Sequence, residues 1–290
     1  MINEIVIGNG TGDSVTIGND PSKDYDFILD SIDWDTPAIT MNTYKIPNQV
    51  GASLNGVTVG TRKPVIAGYV VANTKNIDTA GLTWEDYYKK QLEMIEANKE
   101  KLNSIISVMR DVVITVNDYA LDGRPSLPPK YATDENRNNE VMCYFELNFE
   151  CFKPLFHTNT STKLEMPNAG TEYTLNNDGQ ATIGMHITID FTGTVENPTF
   201  TNVTRGETVK VEKTFKAGDR IIITTEVGDE DIYIAQGNTQ HSHVYLASVD
   251  STFPKLQVGN NRLSFSATNG ASNMDVNVTY MKEYYTVKEM

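Results

Sequence analysis

Residues 141–156 read VMCYFELNFECFKPLF, and they alternate without a slip. Val141, Cys143, Phe145, Leu147, Phe149 and Cys151 form one set, while Met142, Tyr144, Glu146, Asn148 and Glu150 form the other. The first set is apolar and the second largely polar, the period of a strand with one face on a core and one toward water. Pro154 ends the ladder, because proline has no N–H to give. A long strand thus finishes near the middle of a 290-residue chain, closing one core and leaving the rest of the chain to build another. The length suits two domains of ordinary size.

The texture on either side agrees with that division. Before residue 80 come short β-like pieces, among them EIVIGN, SVTIG, DYDFILDSIDW, AITMNTYKI and GVTVGTRKPVIAGYVVA, punctuated by Gly and Asn at turn positions. At Thr83 the period changes. Trp84, Tyr88, Leu92, Ile95, Leu102, Ile106 and Met109 fall three, four or seven apart, which predicts a one-faced helix over about 83–109. Thr83 is its expected N-cap, with Asp86 at the third helical position, and Asn98 marks a possible break. Beyond Phe156 the chain is rich in Thr, Asn and Gly and reads as a train of strands at sandwich spacing. The expected fold class is mainly β with one helical insert, divided into 1–156 and 157–290.

Charge and cysteine usage narrow the function. Lys and Arg number 24 against 38 Asp and Glu, a formal net charge of −14, shared as −8 through Phe156 and −6 after it. No basic patch stands out, so tight binding to nucleic acid is not expected. The N-terminus MINEIVIGNGTGDSV lacks a basic region followed by an apolar one, and no apolar run reaches the roughly 18 residues of a membrane span. A soluble product made in the cytoplasm is the expectation, in which the N-x-S/T triplets at Asn9, Asn159, Asn202 and Asn277 need carry no glycan. Cys143 and Cys151 are the only cysteines. On one strand they stand roughly 26 Å apart, beyond the ~7 Å that a disulfide tolerates, and so read as buried free thiols.

No recognisable catalytic, cofactor-binding or metal-ligating set stands in the sequence. His241 and His243 could share a face, yet no third ligand lies nearby in sequence. There is no G-x-S-x-G elbow and no ordered Cys–His pair. Glu146 and Glu150 would stand roughly 13 Å apart on their strand, too wide for a glycosidase pair. The acidic series Asp20, Asp24, Asp26, Asp30, Asp33 and Asp35 lacks the Gly and terminal Glu of a calcium loop. GNGTG at 8–12 lacks the Lys-Ser/Thr of a phosphate loop. A non-enzymatic protein without cofactor or metal is the expectation.

A resemblance carries the reading further. SIDWDTPAITMNTYKIPNQVGASLNGVTVGTRKPVIAGYVV, the helical insert, YFELNFECFKPLF, NPTFTNVT, KAGDRIIITTE and PKLQVGNNRLSFSA follow one another in an order that resembles the distal tail proteins of long-tailed, non-contractile bacteriophages. The better-matched positions are Gly60 and Arg62, the strand ending CFKPLF, Asn197-Pro198, Gly218-Asp219 and Leu256 with Gly259-Asn260. The resemblance implies a virion protein at the tail tip. Its N-terminal β-sandwich would close six copies into a ring and its C-terminal sandwich would be galectin-like. The implied partners are its own copies, the tail tube protein, and a tail-associated fibre, lysin or receptor-binding protein. Six copies would carry −84 formal charges, so a channel that repels passing DNA is expected. A sugar-binding adhesion module is the alternative, although both tryptophans, Trp34 and Trp84, lie before Phe156.

Overall fold

The computed structural model describes all residues except 1, 46–49, 51, 74, 76, 79, 134–137, 140, 237–238 and 288–290. The chain divides into two compact units, Met1–Phe156 with the chain end from Thr286, and His157–Tyr285.

In the first unit the strands are β1 (Glu4–Gly8), β2 (Ser14–Gly18), β3 (Phe27–Asp33), β4 (Ile39–Tyr44), β5 (Ser53–Val59) and β6 (Val65–Val71). The helix α1 (Trp84–Ile105) follows, then β7 (Val112–Val116), β8 (Tyr119–Pro125), the short β9 (Lys130–Tyr131) and β10 (Asn138–Asn139), and β11 (Met142–Glu150). The hydrogen-bonded order is β11-β6-β3-β2-β1-β7-β8. The far end of β11 then pairs with β8, Phe149 opposite Pro125 and Glu150 opposite Arg124. The seven strands therefore close on themselves as a barrel, which removes the open edges that a flat sheet would expose. The alternating strand makes this closure: its residues 142–148 run along β6 and its last two reach β8. Gly123 on β8 permits the approach, since a Cβ there would stand 2.6 Å from Cys151 Sγ.

Inside the barrel lie Ile5, Ile7, Ile17, Phe27, Ile66, Ile114, Leu121, Phe145 and Leu147, all but inaccessible to solvent. Phe27 and Phe145 meet edge to face with centroids 6.2 Å apart. Cys143 and Cys151 are buried and free, as the strand geometry predicts. Burial pushes the Cys151 thiol up to about 12.

The helix is shorter than its apolar pattern. It starts at the expected cap, where Thr83 Oγ1 accepts from the Asp86 amide at 3.1 Å and Asp86 Oδ2 accepts from the Thr83 amide at 3.3 Å. It ends at Ile105, with Ile106 as C-cap outside helical geometry, so Met109 lies beyond it and is 82% exposed. No break occurs at Asn98; its side-chain amide instead donates to Val71 O at 3.1 Å and docks the helix on β6. Ile95, Leu102 and Ile106 are buried as the stripe predicts, but Trp84 is 83% exposed. Twenty-two residues of helix span roughly 33 Å, whereas a seven-residue strand such as β6 spans roughly 23 Å. The first turns accordingly have little sheet to bury against.

After β12 (Phe156–Thr158), the second unit contains β13 (Thr162–Met166), β14 (Tyr173–Asn177), β15 (His186–Phe191), β16 (Val195–Glu196), β17 (Thr199–Asn202) and β18 (Glu207–Lys210). Then come β19 (Thr214–Phe215), β20 (Arg220–Glu226), β21 (Asp229–Gln236), β22 (Thr239–Ser242), β23 (Gly259–Ser266), β24 (Met274–Tyr280) and β25 (Glu283–Tyr284). A six-stranded sheet, β13-β24-β15-β20-β21-β22, and a four-stranded sheet, β14-β23-β17-β18, make the sandwich. Ile187, Ile189, Ile221, Ile223, Val276 and Val278 bury one face of the first; Leu175, Phe200, Val209, Leu263 and Phe265 bury one face of the second. Asn202 is wholly enclosed, its amide donating to Lys255 O at 2.7 Å, so this N-x-T triplet cannot present its side chain for modification. Asn197, ahead of Pro198, has φ 51, and Gly218 has φ 90. The turn residues that carried the resemblance thus occupy backbone conformations that favour their residue types.

Candidate assembly surface

β4 and β5 stand apart from the barrel, paired only with each other among the described residues. Their register sets Ile39 against Val59 and Met41 against Val57. Between Asn42 and Thr43 the register shifts, so that Thr43 opposes Leu54 and Asn55 is left over as a bulge. Without the extra residue, Leu54 would lie on the opposite face, because side chains alternate. With it, Ile39, Met41, Leu54, Val57 and Val59 share one side of the hairpin with Thr43, and Thr40, Asn42, Tyr44, Ser53 and Thr58 the other. None of the five apolar residues is covered: they are 57, 67, 58, 52 and 40% exposed. A lone hairpin is marginally stable in water, and a contiguous exposed apolar face of this kind makes the hairpin a candidate interaction surface.

The feet of the hairpin are tied down closely. β3 and β6 pair at Asp33 opposite Val65, so the chain leaves the barrel after Asp33 and re-enters it before Val65 at adjacent points. Gly60 donates its amide to Ala38 O at 2.8 Å, joining the two legs. Asp35, with φ 52, accepts on Oδ2 from the Lys63 amide at 2.9 Å. Arg62 and Cys151 exchange backbone hydrogen bonds of 3.1 and 2.8 Å. The Arg62 side chain is 2% exposed. Its Nε donates to Pro154 O at 2.7 Å, and Nη1 donates to the carbonyls of Trp34 and Asp35, both at 3.4 Å. The guanidinium lies 4.6 Å from the centre of the Phe156 ring, which Trp34 meets edge-on at 5.2 Å. Burial lowers its pKa, opposed by the neighbouring Cys151 and Asp35, yet an arginine remains charged.

The residues weighed as chemical candidates are engaged elsewhere. Glu146 accepts from Asn148 at 2.9 Å and lies near Lys130; Glu150 accepts from Thr61 at 3.0 Å and lies near Lys63. Asp20 caps a turn at Ser22, Asp24 pairs with Lys75, and Asp30 falls at the bulge of β3 between Leu29 and Ser31. His241 is exposed on β22 opposite Ile234, and His243 Nδ1 lies 2.9 Å from Tyr245 Oη. Among the described residues no three His, Cys, Asp or Glu groups come together as a metal site. GNGTG forms the β1–β2 turn, where Asn9 Oδ1 accepts from the Thr11 amide and hydroxyl. In the cleft beside Tyr25, both Lys23 and Tyr25 donate to Glu4 at 2.7 Å. These contacts hold the Glu4 carboxyl below its ordinary range, Lys23 contributing most and Tyr25 next. No described helix is long and apolar enough to cross a membrane.

The two-sided hairpin escaped the sequence reading, although AITMNTYKI and the strand after it are visible there as β pieces. Only the bulge, a three-dimensional feature, aligns Leu54 with Met41.

Residues 178–284 match the family described as siphovirus-type tail component, C-terminal domain. Among solved structures, the chain is similar to SPP1 Dit, described as a paradigm of the hub adsorption apparatus in phages infecting Gram-positive hosts. The two are 15% identical, with a TM-score of 0.61 over 89% of this chain and 93% of that one. It is also similar to a chain of the phage P2 baseplate in its activated conformation with Ca, 8% identical, with a TM-score of 0.51 over 99% of this chain and 100% of that one. No curated protein matches by sequence. Residues 178–284 thus match the model of siphovirus-type tail components, and the chain has the fold of SPP1 Dit.

Proposed function

We propose that this chain is a structural hub subunit at the distal end of a phage tail, six copies of which close into a ring through their first units. The uncovered apolar face of β4–β5 is the observation that supports this reading most directly. A ring requires heterologous contacts, in which one surface of each copy meets a different surface of the next. A hairpin apolar on one side, with unpaired outer edges, is suited to such a contact. The ring would join the tail tube to a fibre, lysin or receptor-binding protein docked on the C-terminal sandwich. Its work is assembly rather than catalysis, and its place is the tail tip of the virion. With −14 per copy, the channel would be net acidic and would let DNA pass without sticking.

Electron microscopy and native mass spectrometry of the purified protein, alone and with its neighbouring tail proteins, test the proposal. Sixfold annuli are expected. Monomers under every condition would refute the ring, and a net basic lumen in an assembled ring would refute the channel argument.

A further inference from the structure

The hairpin feet and the chain leaving the barrel meet at one buried cation. Arg62 belongs to the returning leg, Trp34 and Asp35 to the outgoing leg, and Pro154 and Phe156 to the segment after β11. The guanidinium donates to carbonyls from two of these segments and stacks on a ring from the last. Burying a charge is costly unless it is thoroughly hydrogen-bonded. A stability role alone would be served as well by an apolar side chain, which could pack against Phe156 and Trp34 without desolvating a cation. What the planar, multi-donor head supplies is direction: it fixes three backbone segments relative to one another, as a lysine or an aliphatic residue would not.

We infer that Arg62 is a positioning residue that couples the stance of hairpin β4–β5 to the segment 152–156, so that displacement of either is transmitted to the other. The second connection is backbone, since Arg62 and Cys151 exchange hydrogen bonds in both directions. Pulling on the segment beyond Cys151 therefore acts on both the backbone and the side chain of the returning leg. In the hub reading, on which this inference rests, engagement of a hairpin by a neighbouring copy would be felt where the chain leaves the barrel. A load there would in turn alter the docking face.

Hydrogen–deuterium exchange on the full-length chain tests the coupling, in a Met41→Asp background so that assembly does not mask the signal. Arg62→Lys keeps the charge and loses the fork. It is expected to accelerate exchange by about tenfold or more both at Gly60–Arg62 and at 152–156, while β1 and β7 keep their wild-type rates. Phe156→Leu removes the ring face from the other side and is expected to accelerate exchange at Gly60–Arg62, although it is not part of the hairpin. Acceleration confined to the mutated segment would overturn the inference. A general rise that includes β1 and β7 in both variants would also overturn it, because Arg62 would then serve the core at large. The readout does not require a ring, so persistent monomers would refute the assembly reading and leave this result standing.

Discussion

Met41→Asp is the sharpest perturbation of the proposed assembly face. Met41 is 67% exposed and opposes Val57, which is 52% exposed. Fully burying a side chain of this kind stabilises by roughly 1.5–3 kcal/mol, so the exposed two-thirds of Met41 should contribute about 1–2 kcal/mol at an interface. An aspartate there forfeits that contribution and must also shed water from a carboxylate, a further cost of about 1–3 kcal/mol when it is left unpaired. The combined loss of ~3 kcal/mol per contact weakens each contact about 150-fold. All of β4 is exposed within the single chain, so the monomer itself should unfold at nearly the wild-type denaturant concentration. Thr40→Asp introduces the same charge on the opposite side of the same strand and serves as the control. Sedimentation velocity across a concentration series should show rings for wild type and Thr40→Asp, and monomers for Met41→Asp. Equal assembly of the two variants would refute the argument that the apolar side of the hairpin is the contact.

Other outcomes follow from the same geometry. Asn202→Ala removes an enclosed side chain that donates to Lys255 O and accepts from the Thr204 amide at 3.1 Å. It should destabilise the second unit by about 2–3 kcal/mol, read from a urea midpoint shift without change in slope. Glu4 has a folded-state pKa below its ordinary value, so the stability it contributes is present above the unfolded carboxylate pKa and is lost as pH falls through the folded one. Glu4→Gln should therefore flatten the loss of stability with acidification from about pH 4.5 downward, and an unchanged acid limb in urea titrations would refute that assignment. Native protein at pH 8 should leave Cys143 and Cys151 unlabelled by iodoacetamide over times that label the urea-unfolded chain fully, and fast native labelling would contradict their burial.

Local pattern determined a good deal about this protein. The period-two run that ends at Cys151 makes β11, and the burial of Phe145, Leu147 and Phe149 follows from which residues are apolar. The change of period at Thr83 makes α1 and its capping box. Both are properties of neighbours a few residues apart, and sequence lists neighbours directly. The ordered turn residues also bring out the distal-tail resemblance, since Gly218 and Asn197 occupy backbone conformations that few other residues adopt readily.

Tertiary structure alone decided what those elements do. β11 closes a barrel because its last two residues reach β8, a pairing between positions some 25 apart in sequence, which no local period encodes. AITMNTYKI and EIVIGN are both short, partly apolar strands, yet Ile5 and Ile7 are fully buried while Ile39 and Met41 face solvent. The difference lies in what is packed against them. In the sequence Arg62 is a position that carries the resemblance, with no role attached to its side chain. It becomes the tie between hairpin and exit segment only because folding brings Trp34, Asp35 and Pro154 to one guanidinium. Secondary structure is set by short-range geometry that the order of residues specifies, whereas exposure and convergence depend on contacts between distant segments that exist only once the chain has closed.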